Sequence, residues 1–186
     1  MKFNLEYLTN QLNFNIEDIS LKELNFDELR YNLFSYLENY EKMEFVFVNL
    51  PNKLINITNP QNTYSLFGMC FLGYFVIGES GDVLLICNDD GFEVFQKKVV
   101  FVNSSLKFFV SSYSLFLSKI FILKSKFYEI KPCEVESISN SLMNDILNLE
   151  GDLSKQFIFW EHMVYLIEDD GIVLRDDIVN YVGNGG

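Results

Sequence analysis

Residues 73–80 read GYFVIGES, two glycines at the spacing of a loop that wraps a nucleotide's phosphates, followed by Glu79 and Ser80. That chemistry needs a lysine where this chain carries Glu79, because an ammonium neutralises phosphate charge and a carboxylate repels it. The residues between the glycines are aromatic and β-branched, the composition of a buried strand, so no nucleotide site is expected. His162 is the only histidine, which excludes any metal site built on two imidazoles; it is expected at the surface of a helix or half-buried in it. Asp89-Asp90-Gly91 and Asp169-Asp170-Gly171 could open a calcium loop, but neither reaches the distant glutamate that closes one, and both read as turn or helix-cap sequences. Glu134 with Glu136, and Asp176 with Asp177, are the paired acids that general acid–base catalysis uses, here expected as solvated charge at helix ends. The serines between 104 and 118 fall on one helical face and lack the strained turn that exposes a nucleophile. Cys70, Cys87 and Cys133 are odd in number, lack metal-ligand spacing and sit in apolar sequence, as reduced core thiols do. The expectation is a protein that is not an enzyme and carries no metal or cofactor.

The elements that would position any site are clearest between residues 74 and 109. Short apolar, β-branched and aromatic runs at 74–77, 83–87, 92–95 and 99–102 predict strands, and Gly-Glu-Ser-Gly-Asp at 78–82 and Asn-Asp-Asp-Gly at 88–91 supply the reversals of an antiparallel meander. The period then changes: Leu106, Phe109, Val110, Tyr113, Leu117 and Ile120 recur every three or four residues, which predicts a buried central helix with Asn103 or Ser104 as its N-cap. Upstream, Ser20-Leu21-Lys22-Glu23 has the form of a capping box ahead of an apolar stripe reaching Tyr40, residues 43–50 alternate as a strand ending before Pro51, and the Asn-rich stretch 52–63 reads as a long loop. Downstream, Pro132 opens a helix bearing Leu142, Ile146 and Leu149, and Phe157, Trp160, Val164 and Tyr165 mark another ending near Gly171. The predicted architecture is α+β: one domain over 1–186, with helices in 1–42, an antiparallel sheet of five or six strands in 43–103, helices in 104–182 and a fraying tail at 183–186.

Composition agrees with one packed domain: 186 residues, 49% hydrophobic and 22% charged, with 19 Phe and 10 Tyr to fill a rigid aromatic core. The opening MKFNLEYLTNQLN lacks the apolar core of a signal peptide, and the longest apolar stretches are too short or too interrupted to span a bilayer, so a cytoplasmic protein without membrane contact is expected. The formal net charge of −12 is unevenly spread. Residues 97–131 hold seven lysines against one acid, whereas 1–44 hold four bases against nine acids, 45–96 one against five, and 132–186 two against eleven. Such acidity disfavours nucleic acid as a direct ligand and favours a basic partner.

The strand closing on Ile77-Gly78, the Asn88-Asp89-Asp90-Gly91 turn, and Phe101-Val102-Asn103-Ser104-Ser105-Leu106 followed by Phe109 together resemble the SUKH superfamily. The match is closest to its fourth family, of bacterial immunity proteins of polymorphic toxin systems. Asn49-Leu50-Pro51 resembles the family's Gly-Leu-Pro with Asn in place of Gly, and Phe157-Ile158-Phe159-Trp160 followed by Gly171 resembles its C-terminal aromatic helix. The resemblance implies a partner-binding domain that occludes a cognate toxin domain, with a basic nuclease or deaminase as the partner type its acidity suits; it leaves oligomeric state open. On that reading the acids of the meander turns, Glu79, Asp82, Asp89, Asp90 and Glu93, are the first candidates for the contact. A regulatory scaffold, as in eukaryotic members of the superfamily, and an enzyme of unrecognised class are the alternatives, and finding a toxin reading frame upstream of this one would favour immunity over both.

Overall fold

In the computed structural model, residues 6–10, 12–18, 54–125, 129–151 and 156–169 are described. In chain order they form α1 (Glu6–Asn10), β1 (Asn15–Asp18), β2 (Ile55–Thr58), β3 (Thr63–Cys70), β4 (Gly73–Ile77), β5 (Val83–Cys87), α2 (Asp89–Phe95), β6 (Val99–Asn103), α3 (Leu106–Ser125), α4 (Pro132–Glu150) and α5 (Ile158–Glu168). The six strands make one antiparallel sheet in the order β1-β2-β3-β4-β5-β6, the simplest meander, in which each strand pairs with its neighbour in sequence. The expected α+β fold, with a sheet followed by C-terminal helices, is what forms.

Two apolar clusters flank the sheet because its strands alternate. Phe67, Phe75, Val83, Leu85, Val100 and Val102 pack with the three long helices. There Phe109 of α3 meets Phe67 and Phe75 at ring-centroid distances of 5.3 and 5.0 Å, and Phe159 of α5 meets Phe75 at 5.5 Å. As expected, α3 is central: Phe109, Tyr113 and Leu117 are fully buried, and α4 packs against both α3 and α5. On the opposite cluster Ile55, Ile57, Tyr64, Leu66, Tyr74, Val76 and Ile86 gather with Leu8 and Phe14. No helix among the described residues is long and apolar enough to cross a membrane.

The structure departs from the sequence reading at four places. Residues 92–95 are helical, not a strand, because Asn88 caps them: its Oδ1 accepts from Gly91 N (2.9 Å), Asp89 and Asp90 occupy the first turn, and Gln96 ends the helix in the left-handed region at φ 55°. Residues 55–58, expected as loop, form β2. Their Ile-Asn-Ile-Thr alternation is a strand pattern, and only Asn59–Asn62 turn, with Asn59 Oδ1 accepting from the backbone N–H groups of Gln61 and Asn62. Residues 15–18, assigned to N-terminal helices, pair with β2 as β1, and the helix found ahead of them, α1, is only five residues long. Ser105, not Asn103 or Ser104, caps α3, its Oγ accepting from Phe108 N (3.2 Å). The expected elements at 20–40 and 43–50, Asn49-Leu50-Pro51, Gly171 and the tail lie outside the described residues.

Candidate functional site

The five acids expected to act together stand in two groups. Glu79 and Asp82 occupy the β4–β5 turn, where Ser80 Oγ donates to Asp82 and Glu79 Oε1 accepts from Thr63 N (3.4 Å). Both are near enough to Tyr64 to help burial push its phenol pKa up. Asp89, Asp90 and Glu93 lie at the other end of β5, on α2. Five strand residues at about 3.4 Å each put roughly 17 Å between the groups. All three acids of the second group are exposed, with Phe92 and Val94 exposed beside them.

Local sequence explains how α2 is held. Asn88 works in both directions, accepting from Gly91 N while its Nδ2 donates to Phe71 O (2.9 Å) and its backbone N donates to Leu72 O (3.1 Å). A single asparagine thereby ties the helix to the tight β3–β4 turn, fixing where the three carboxylates project. On its other side Phe95 meets His162 of α5 edge-on at 5.5 Å, and His162 lies over Tyr165 at 6.3 Å. His162 is half-buried, as the sequence suggested, and burial lowers its pKa.

A second polar constellation is internal and was not foreseen. In the β5–β6 pairing Val102 is skipped, so Asn103 stands opposite Val83, a residue of the helix-side core. Fully buried there, Asn103 donates through Nδ2 to Ser112 Oγ (3.0 Å) and Glu150 Oε1 (2.6 Å), and accepts at Oδ1 from Trp160 Nε1 (3.2 Å). Glu150 also accepts from Ser104 N with both oxygens, at 3.1 and 3.2 Å. These bonds to the carboxylate all come from neutral N–H groups, and the network joins β6, α3, α4 and α5 at one point. It reads as architecture: the acid is consumed by the fold. Glu134 is likewise structural, its Oε2 accepting from Lys131 N (2.9 Å) at the start of α4.

The P-loop-like segment is a strand, as its residues indicated. Gly73 to Ile77 form β4, and the backbone is paired on both sides with β3 and β5. Cys70 and Cys87 are buried on β3 and β5, as expected, and burial pushes both thiols up to about 12; Cys133, expected in the core as well, is instead exposed in the first turn of α4. Since the thiolate is the reactive species, a thiol-specific reagent at pH 7.5 is expected to modify Cys133 within minutes and leave Cys70 and Cys87 untouched until the protein unfolds. Mass spectrometry of the labelled native protein checks this. Among the described residues no group of three His, Cys, Asp or Glu side chains is placed to hold a metal ion. No family model, curated protein or solved structure matches this chain.

Proposed function

We propose that this chain is an immunity protein, which binds the cognate toxin domain of a bacterial polymorphic toxin system and neutralises it by covering a cationic active-site face. The observation that carries the reading is the exposed acid at Glu79 in the β4–β5 turn and at Asp89, Asp90 and Glu93 on α2, on a chain of net charge −12. The resemblance to the SUKH immunity family supplies the biological context. Enzymes that cut or deaminate nucleic acid line their clefts with lysine and arginine for phosphate. An acidic protein can stand where the backbone would lie, and the long-range attraction accelerates its approach.

The experiment is coexpression with the toxin domain encoded in the adjacent reading frame, scored by survival. The wild-type chain is expected to rescue the cells. Asp89→Lys with Asp90→Lys is expected to slow association by about tenfold and weaken protection, because rim charges act mainly on the on-rate. Both acids occupy the first turn of α2, so the reversal also removes a favourable helix-dipole interaction and is expected to lower the melting temperature by roughly a few degrees at most. Absence of rescue from every neighbouring toxin domain would refute the immunity reading.

A further inference from the structure

We infer that the contact face is the α2 end of the sheet, continuous with the outer side of α5, and that its occupant is a folded basic protein presenting an apolar centre with a cationic rim. The inference rests on the toxin-binding reading and selects one of the two acidic groups. Among the described residues the exposed large hydrophobics are Phe92 (44%), Val94 (42%), Val99 (38%) and Tyr165 (54%). Single exposed apolar side chains are ordinary on a protein surface, and Val99, opposite Ile86, lies on the sheet face away from α5. Phe92 and Tyr165, however, are linked: Phe92 stands one helical turn before Phe95 on α2. Phe95 is joined to Tyr165 through the stack in which His162 contacts both. Lys97 Nζ, donating to Gln156 Oε1 (3.1 Å), ties the α2–β6 connection to the residues that lead into α5.

Charge decides what would cover this face. Asp89, Asp90 and Glu93 are exposed on α2 itself, and Glu161, Glu168 and Asp169 are exposed on or just after α5; Lys97 and Lys98 are the opposing charges nearby. Aromatic anchors inside a charged rim are the composition of an energetic hot spot. A second copy of this chain is a poor occupant, since a two-fold contact would set the same carboxylates against one another. Nucleic acid is poorer still for the same reason. The β4–β5 turn with Glu79 and Asp82 has no exposed large apolar side chain beside it and serves as the internal comparison.

The test uses the full chain and the purified toxin domain encoded in the adjacent reading frame, with affinity and melting temperature measured for each variant. Phe92→Ser combined with Tyr165→Ser is expected to weaken binding by about 100-fold, chiefly through faster dissociation, while the melting temperature stays near that of the wild type. Glu79→Lys combined with Asp82→Lys is expected to change affinity by less than about fivefold, the residual long-range effect of net charge. Retained affinity in the serine double variant, or an equal loss in the Glu79/Asp82 variant, would overturn the assignment while leaving toxin binding intact. A wild-type chain that binds no neighbouring toxin domain would remove the functional reading and this occupant with it. Sedimentation of the chain alone gives the remaining alternative: a dimer that the serine double variant dissociates would assign the face to a second copy and overturn the proposal.

Discussion

Glu150→Leu is expected to destabilise the protein by about 3 kcal/mol. The carboxylate ends α4, where the helix dipole disfavours an anion, yet it is buried to 9% exposure. It stays because Ser104 N and Asn103 Nδ2 both aim at it, in a place that the skipped residue Val102 creates by turning Asn103 toward the helices. A leucine would leave those two donors facing apolar atoms, and each unsatisfied buried donor costs roughly 1–3 kcal/mol. For a domain of this size that corresponds to a fall of about 6–12 °C in melting temperature, read by circular dichroism. Glu150→Gln keeps a carbonyl acceptor and is expected to cost about a third as much. Unchanged melting of the leucine variant would show that the network does not bear on stability.

Gly73→Ala and Gly91→Ala are expected to be at least as damaging, about 3 kcal/mol or more each, because both act on backbone that cannot yield. A Cβ on Gly73 would overlap the carbonyl oxygen of Ile86 on β5, at a φ of +151° that side chains rarely adopt. A Cβ on Gly91 would overlap the carbonyl oxygen of Leu72, the atom to which Asn88 N donates. The two glycines thus let the β3–β4 turn, the end of β5 and α2 approach within backbone contact, and overpacking such a junction forces displacements of the chain itself. Loss of soluble expression, or a melting temperature lower by about 8 °C or more, is the expected readout. On the proposed immunity reading, because α2 carries Asp89, Asp90 and Glu93, these variants are expected to lose toxin binding in proportion to folding, whereas the charge reversals are expected to weaken it with little unfolding.

The elements with a strong local period were legible in the sequence. The three-and-four spacing of Phe109, Tyr113 and Leu117 gave α3, Pro132 gave the start of α4, and the apolar runs around Gly78 and Asp82 gave the β4–β5 hairpin. Where two local signals compete, the sequence was ambiguous. Asn-Asp-Asp-Gly serves equally as a hairpin turn and as an N-cap with first-turn acids; in the fold Asn88 caps a helix while tied to Phe71 O and Leu72 O, contacts that no local pattern announces. Ile55-Asn56-Ile57-Thr58 alternates correctly but is hidden in Asn-rich surroundings. β1, with its Asn, Glu and Asp, has little strand propensity and exists through its pairing with β2. The Asn103 network had no local signal at all, since its members lie 47 and 57 residues apart and meet only after the helices have packed. The acidic candidates were visible as residues, but their division between the two ends of β5 is a property of the sheet.

The most direct measurement is the association rate of the chain with the toxin domain of the adjacent reading frame as sodium chloride is raised from about 50 to 500 mM. Over that range the screening length shortens from roughly 14 to 4 Å. Electrostatic steering of an acidic inhibitor onto a basic cleft predicts that the rate falls at least about tenfold while dissociation changes little, in parallel with loss of inhibition at high salt. A tight complex whose association is indifferent to salt, or no complex at all, would contradict the account.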